Sequence, residues 1–158
     1  EIRTTGGEVL ALFIEERVPS DLSLLETIAL VHAQGGLVGA SHPLDRFRGE
    51  AMGRQRFEAV HVHLDFAEVL NARVTMCSDN RLARELTVRW GLSASAGSDA
   101  HAAFEVGRAY VEMPQFRDRE DFVDCLAQAN IGGRLSSPLV HFVSTYAKWR
   151  KRVGLPRE

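Results

Sequence analysis

The chain has 158 residues, 45% of them hydrophobic and 25% charged, which are ordinary values for one globular domain with a buried core. A formal net charge of −2 argues against binding of long DNA, and no apolar run reaches the ~20 residues that span a bilayer, so no membrane partner is expected. Two cysteines outside any CxxC spacing favour a reducing compartment, and we expect a cytoplasmic protein.

Strands and helices alternate along the chain. Short apolar or small-residue runs predict the strands, and helical spacing of apolar residues behind a capping residue predicts the helices. Ser23 and Glu26, for example, have the spacing of a capping box, and Gly35 ends the helix that follows. The predicted strands cover 9–14, 36–41, 66–70, 93–97 and 109–113; the predicted helices follow Ser23, cover 50–63, and begin at Asn80, Asp118 and Ser137. This alternation indicates an α/β fold with a mostly parallel sheet.

Side chains that commonly bind metals follow two of the predicted strands. His42 comes directly after one strand, and Asp99 and His101 come directly after another. Because sites in α/β folds assemble at the carboxyl ends of parallel strands, we expect these side chains to lie near one another. The proline after His42 predicts an extended, rigid backbone, and Gly97 permits a tight turn before Asp99. Carboxylate and imidazole donors together suit zinc, manganese or iron.

The segment HVHLD, residues 61–65, offers a rival pair of histidines. If the segment ends a helix, His61 and His63 point in different directions and cannot bind one ion together. If it is instead part of an extended strand, the two side chains share a face and a metal site is possible. We prefer the helical interpretation, in which both histidines lie on a partly exposed connection to the next strand.

Over residues 1–135 the chain resembles the PHP (polymerase and histidinol phosphatase) family of metal-dependent phosphoesterases. The blocks that carry the resemblance are, in order, Glu1-Ile2, GEVLALFI, VHAQGGLVGASHP, FAEVLNAR, GLSASAGSDAH and EVGRAYVEM. The resemblance implies an incomplete distorted (β/α)7 barrel that lacks its first strands. The remaining residues, 136–158, are expected to form an amphipathic basic helix that packs on this domain or extends from it.

The resemblance also implies a set of ligands for two or three divalent metal ions (Mn, Zn or Fe). Glu1 matches a glutamate that bridges two ions, and His42 matches a ligand to one of them. Asp99 and His101 match the last two ligands, one for each of two ions. Asn71 lies near a position where some members have a further ligand, and we expect it beside the ligands rather than on an ion.

By the resemblance, the first strands of the barrel and about half of the ligands belong upstream of Glu1. The family's own histidine pair lies there, so HVHLD is interpreted as a coincidence. A barrel without its first strands has open edges and exposed apolar surface. We therefore expect this polypeptide to fold poorly alone, to associate with another copy as a homo-oligomer or with another chain, or to be the ordered part of a longer protein.

The implied function is hydrolysis of a phosphoester by water activated at the metal ions. Asp99 and His101 would be the catalytic residues, and Arg46 or Arg108 would bind the phosphate oxygens of the substrate. The near-neutral charge favours a small phosphomonoester, a nucleotide or a short oligonucleotide over long DNA. Two alternatives stay open: a degenerate domain that binds a partner without catalysis, and an amidohydrolase-like deacylase.

Overall fold

A computed structural model describes residues 1–137, which form a mixed α/β fold with helices on both faces of a five-stranded sheet. The strands are β1 (Ile2–Thr4), β2 (Gly7–Leu12), β3 (Leu37–Ala40), β4 (Phe66–Asn71), β5 (Ser93–Gly97), β6 (Ala109–Glu112) and β7 (Asn130–Gly133). The helices are α1 (Leu24–Ala33), α2 (Arg54–Val60), α3 (Cys77–Trp90) and α4 (Arg119–Ala127), with single 3₁₀ turns at His61–His63 and Ala103–Glu105. The helix expected from Ser137 onward, and with it the proposed segment 136–158, lies almost wholly outside the described residues.

The sheet is mixed, so the prediction of a mostly parallel sheet is wrong. Its strands lie in the order β1-β2-β3-β4-β5; the first two pairings are antiparallel and the last two are parallel. The connection from β1 to β2 has two residues, Thr5 and Gly6, which is too short for the crossover that a parallel pair requires. Strands β6 and β7 form a separate antiparallel pair. The sequence of β7, NIGG, has no apolar alternation and was not predicted as a strand.

The ends of the helices follow local capping chemistry. The predicted capping box of α1 is confirmed, because the Ser23 hydroxyl accepts the N–H of Glu26 and the Glu26 carboxylate accepts the N–H of Ser23. Helix α3 ends at Gly91 in the left-handed conformation, as predicted, but it begins before Asn80. The Asn80 amide instead accepts the N–H of Asn71 and donates to its carbonyl oxygen, so it closes the end of β4 rather than capping a helix.

Strand β3 lies at the centre of the core and is buried on both faces. Val38 and Ala40 face the larger apolar cluster, to which α1, α2 and α3 contribute, and Leu37 faces a smaller cluster with Leu126 of α4. Gly39 lies so close to the ring of Phe66 that an added methyl group would overlap it. A strand that is covered on both sides accepts little change in side-chain volume, and it therefore holds the residues that follow it in one place.

The outer edge of β1 is covered by the chain that leads into α1. The carbonyl oxygen of Arg3 accepts the N–H of Asp21, and the Asp21 carboxylate binds the Arg3 guanidinium at 2.9 Å. None of the helices in residues 1–137 combines the length and the apolar character needed to cross a bilayer.

Strands β3, β4 and β5 are parallel, so their carboxyl ends lie at one edge of the sheet. His42, Asn71 and Asp99 occur at or just after these ends. Because β2 runs antiparallel to β3, it brings its first residues, including Glu8, to the same edge. The topology thus collects polar side chains from four strands in one region.

Candidate metal centre

His42, Glu1 and Glu8 meet beyond the carboxyl end of β3. The Nε2 atom of His42 lies 3.2 Å from a carboxylate oxygen of Glu1 and 3.1 Å from one of Glu8. One ligand atom from each residue lies within 4.8 Å of the other two, and no other group of three such side chains in residues 1–137 is as close. One imidazole and two carboxylates match the donors that zinc, manganese and iron accept.

The His42 side chain is fully buried, and its backbone is held by Glu68. Its backbone N–H donates to the Glu68 carboxylate at 2.8 Å, and its Nδ1 atom has no hydrogen-bond partner. Its φ of 29° lies in the left-handed region, so the expected extended backbone at this residue is wrong. A non-glycine residue in this conformation persists only where its surroundings enforce it, and here the buried Glu68 carboxylate does so.

The two carboxylates determine the protonation of His42. Burial by itself lowers the pKa of the imidazole, but hydrogen bonds with Glu1 and Glu8 outweigh it and raise the pKa to about 9. The hydrogen bond with His42 in turn lowers the pKa of the Glu1 carboxyl to about 2. At neutral pH the imidazole is therefore protonated, and it lies between the two carboxylates. Its proton sits where a metal cation would have to bind.

Glu68 and Asn71 connect this cluster to the turn after β5. The Asn71 amide nitrogen donates to Glu68 at 3.1 Å and lies 3.4 Å from the Asp99 carboxylate. The same Glu68 oxygen accepts the N–H of His42, and burial raises the pKa of the Glu68 carboxyl. Asn71 thus lies beside the predicted ligands, as expected, and contacts one of them.

The structure brings Asp99 to this network but leaves His101 within its own turn. Asp99 has a φ of 48°, and its carboxylate binds the Arg48 guanidinium at 2.6 Å. The Nδ1 atom of His101 is 2.9 Å from the Asp99 carbonyl oxygen, and 41% of its side chain is exposed. Metal binding by Asp99 and His101 stays a prediction.

Of the two arginines that follow His42, Arg48 is the one that contacts a predicted ligand. Arg46, with 57% of its side chain exposed, binds Asp79 of α3 at 3.0 Å, whereas the Arg48 side chain is only 17% exposed. Arg108 lines a separate cavity of about 430 Å³ together with Phe104, Tyr110 and Arg134. The substrate contacts predicted for Arg46 and Arg108 stay predictions.

Glu8 and Glu68 did not emerge from the sequence as site residues. Each is the single carboxylate in an otherwise apolar or neutral strand, GEVLAL and FAEVLN. A carboxylate in a buried strand is costly unless a partner compensates for it. That signal was present in the sequence and could have identified both residues.

The HVHLD histidines lie elsewhere and have local contacts. Residues 61–63 form a 3₁₀ turn, so the alternative of an extended strand is wrong. The His61 ring stacks on Trp90 with a centroid distance of 4.3 Å, and its Nδ1 lies 2.7 Å from the Glu58 carbonyl oxygen. His63 is exposed. His61 therefore contributes to packing at the end of α2.

Comparison with known proteins finds a family model that part of the chain matches and a solved structure with the same fold. Residues 78–131 match the family model described as PHP-associated. The uncharacterized protein MJ0417 of Methanocaldococcus jannaschii is 33% identical over 120 residues, which cover 73% of this chain and 50% of that protein. The uncharacterized protein MJ1587 of the same organism is 43% identical over 72 residues, 46% of this chain and 40% of that protein. The chain thus spans about half the length, or less, of the curated relatives that it matches.

The crystal structure of PsfC from Pseudomonas syringae PB-5123 superposes with a TM-score of 0.63. The superposition covers 96% of this chain and 64% of PsfC, at 19% sequence identity. The two proteins share a fold.

Proposed function

Because residues 78–131 match the family model described as PHP-associated, in agreement with the resemblance found in the sequence, we propose that this chain supplies part of the active site of a metal-dependent phosphoesterase. The observation that carries the proposal is the convergence of His42, Glu1 and Glu8 at the carboxyl ends of the strands. We further propose that the five-stranded sheet is part of a distorted barrel of seven β/α units.

The residues present suit a divalent ion. His42 would supply Nε2, and Glu1 and Glu8 would supply carboxylate oxygens. Asp99 and His101 are the proposed ligands of a second or third ion. An ion held here would lower the pKa of water towards neutrality and offset the negative charge that develops on a phosphoryl group.

The chain's own residues orient this site. Glu68 fixes the backbone of His42 and hence the direction of its ring. His42 must release its proton before Nε2 can bind a metal, since only the neutral imidazole is a ligand. Arg48, now bound to Asp99, can exchange one donor onto a phosphate oxygen, and we propose it as the substrate-binding arginine in preference to Arg46 and Arg108.

We propose a small phosphomonoester, a nucleotide or a short oligonucleotide as substrate. A net charge of −2 gives the chain no overall electrostatic attraction to a long nucleic-acid backbone. One partly buried arginine beside a cluster of candidate metal ligands is instead suited to a single phosphate group.

The test is hydrolysis of p-nitrophenyl phosphate and a nucleotide panel by the purified chain with Mn²⁺, Zn²⁺ or Fe²⁺, beside an amide panel. We expect phosphoester hydrolysis that EDTA abolishes and that Glu8→Gln reduces about 100-fold or more, as the loss of a metal ligand implies. His63→Gln is the matched control and should retain activity, because His63 lies on the exposed 3₁₀ turn. Full activity in Glu8→Gln would refute the assignment. Amide cleavage alone would indicate a deacylase, and metal binding without hydrolysis would indicate a binding domain.

A further inference from the structure

A buried ion pair joins the segment after β4 to the segment after β5. The Nη1 atom of Arg73 lies 2.6 Å from Oε1 of Glu105, and the two side chains are 3% and 2% exposed. Removing two charges from water is costly, so a buried pair is poor evidence of stabilisation by itself. The role of this ion pair depends on the other hydrogen bonds that Arg73 and Glu105 form.

The second oxygen of Glu105 holds the turn that carries Asp99 and His101. Oε2 accepts the backbone N–H of His101 at 2.8 Å and that of Ala102 at 2.9 Å. Both oxygens of this carboxylate are thus engaged, one by Arg73 and one by the turn. Charge-assisted bonds of this kind are among the strongest in proteins.

The turn is also fixed at its other end. The Ser98 hydroxyl donates to the carbonyl oxygen of Ala109 at 3.0 Å and accepts the N–H of Ala109 at 3.3 Å. Asp99, between these anchors, has a left-handed φ of 48° that an isolated loop would rarely adopt. Anchors on both sides keep the Asp99 carboxylate beside Asn71 and Arg48.

The backbone of Arg73 connects the Arg73–Glu105 ion pair to Asn71. Its backbone N–H donates to the Asn71 side-chain oxygen at 2.9 Å, while the Asn71 amide nitrogen lies 3.4 Å from the Asp99 carboxylate. The ion pair therefore sets the relative position of the amide on one segment and the carboxylate on the next. Neither Arg73 nor Glu105 belongs to the Glu1–Glu8–His42 cluster.

We propose that Glu105, oriented by Arg73, is a positioning residue that presets the Asp99–His101 turn for metal binding. The inference rests on the proposed function, because it assigns metal binding to that turn. Partners that orient a metal ligand typically change metal affinity by about 10–100-fold when they are removed. Glu105 would act in this way through two backbone N–H groups rather than through a ligand side chain.

The first experiment measures hydrogen exchange of the His101 and Ala102 amides in the metal-free chain. In Glu105→Gln, one amide group cannot satisfy both Arg73 and the two N–H donors, so exchange at both positions should accelerate about tenfold or more. Glu58→Gln is the matched control, because it removes the carboxylate of the exposed Arg54–Glu58 pair on α2. Unchanged exchange at both amides in folded Glu105→Gln would overturn the proposal.

If Glu105→Gln does not fold, the double variant Arg73→Leu with Glu105→Leu replaces the charged pair with two apolar side chains and removes the acceptor oxygens of Glu105. This variant buries no charge, and the same acceleration is expected from it. Unchanged exchange there would equally overturn the proposal.

The second experiment measures Mn²⁺ or Zn²⁺ affinity by titration calorimetry for the wild-type chain, Glu105→Gln, Asp99→Asn and Glu58→Gln. We expect about 10–100-fold weaker binding in Glu105→Gln, a larger loss in Asp99→Asn and no change in Glu58→Gln. If Asp99→Asn weakens binding but Glu105→Gln does not, the positioning role fails while the proposed function stands. If neither variant changes metal binding, the turn is not a metal site, and both assignments fail there.

Discussion

Raising the pH of the metal-free chain should destabilise it, because His42 then loses the proton that holds Glu1 and Glu8 together. The pKa of His42 is about 9 in the folded chain, against an ordinary value of 6.5. Since the folded value is the higher one, the bound proton favours the folded state. This contribution is complete below pH 6.5 and disappears as the pH rises through 9.

The interval between those two pKa values corresponds to about 3 kcal/mol of unfolding free energy. The imidazole is fully buried, so solvent screening does not reduce its share. The lowered pKa of Glu1 reports the same contact from a side chain that is 39% exposed, and it adds nothing to that figure. The Glu1 contribution has the opposite direction: it is present above pH 4.5 and is lost as the pH falls through 2. Between pH 4.5 and 6.5 both contributions are complete.

The assay is urea unfolding in EDTA at pH 6 and pH 9.5, with His42→Gln and His63→Gln beside the wild-type chain. Wild type and His63→Gln should lose about 3 kcal/mol between the two conditions, and His42→Gln should lack this component. Equal pH dependence in all three proteins would contradict the reasoning. So would a His42 pKa below 6.5 in an NMR titration of the folded chain.

Three further results are expected. Affinity for Mn²⁺ or Zn²⁺ should rise about tenfold per pH unit up to pH 9, because each ion displaces the proton of the His42 imidazole. Calorimetry in buffers of different ionisation heat should detect the release of this proton, and a pH-independent affinity would contradict displacement. Arg48→Ala should raise KM for p-nitrophenyl phosphate about tenfold or more, as the loss of a charge-assisted bond implies, whereas Arg46→Ala should not; equal effects would remove the distinction between them. Gly39→Ala should destabilise the fold by about 1–3 kcal/mol or more in thermal unfolding, while Gly49→Ala, in open space, should not.

Local signals in the sequence predicted most elements of the fold, and long-range pairing accounts for what they missed. The capping box at Ser23 and the glycine after α3 depend on neighbouring residues and were confirmed. The directions of the strand pairs depend on chain reversal rather than composition, and the mostly parallel sheet was wrong for that reason. Asn80 shows the same limit: its amide bonds the end of a strand nine residues earlier in the chain instead of capping its own helix.

The residues of the candidate site likewise fall into those that local sequence signals identified and those that depend on long-range pairing. His42 and Asp99 were identifiable because they follow strands whose ends must converge in a parallel arrangement. Glu8 was not, because its place in the site depends on β2 running antiparallel to β3. Arg48 differs from Arg46 only by position in one loop, and only the folded chain shows which guanidinium meets Asp99.

The cover on the outer edge of β1 limits how this sheet can grow. A neighbouring strand adds to a sheet by offering partners to unused backbone groups at its edge. At Arg3 that place is already taken by the Asp21 backbone, and a second contact between their side chains reinforces it. A strand from another molecule would compete with the segment at Asp21, which belongs to the same chain and is therefore present at a high effective concentration. The contacts of Asp21 therefore disfavour the addition of a strand from another molecule at the outer edge of β1, which the order of the strands alone would leave open.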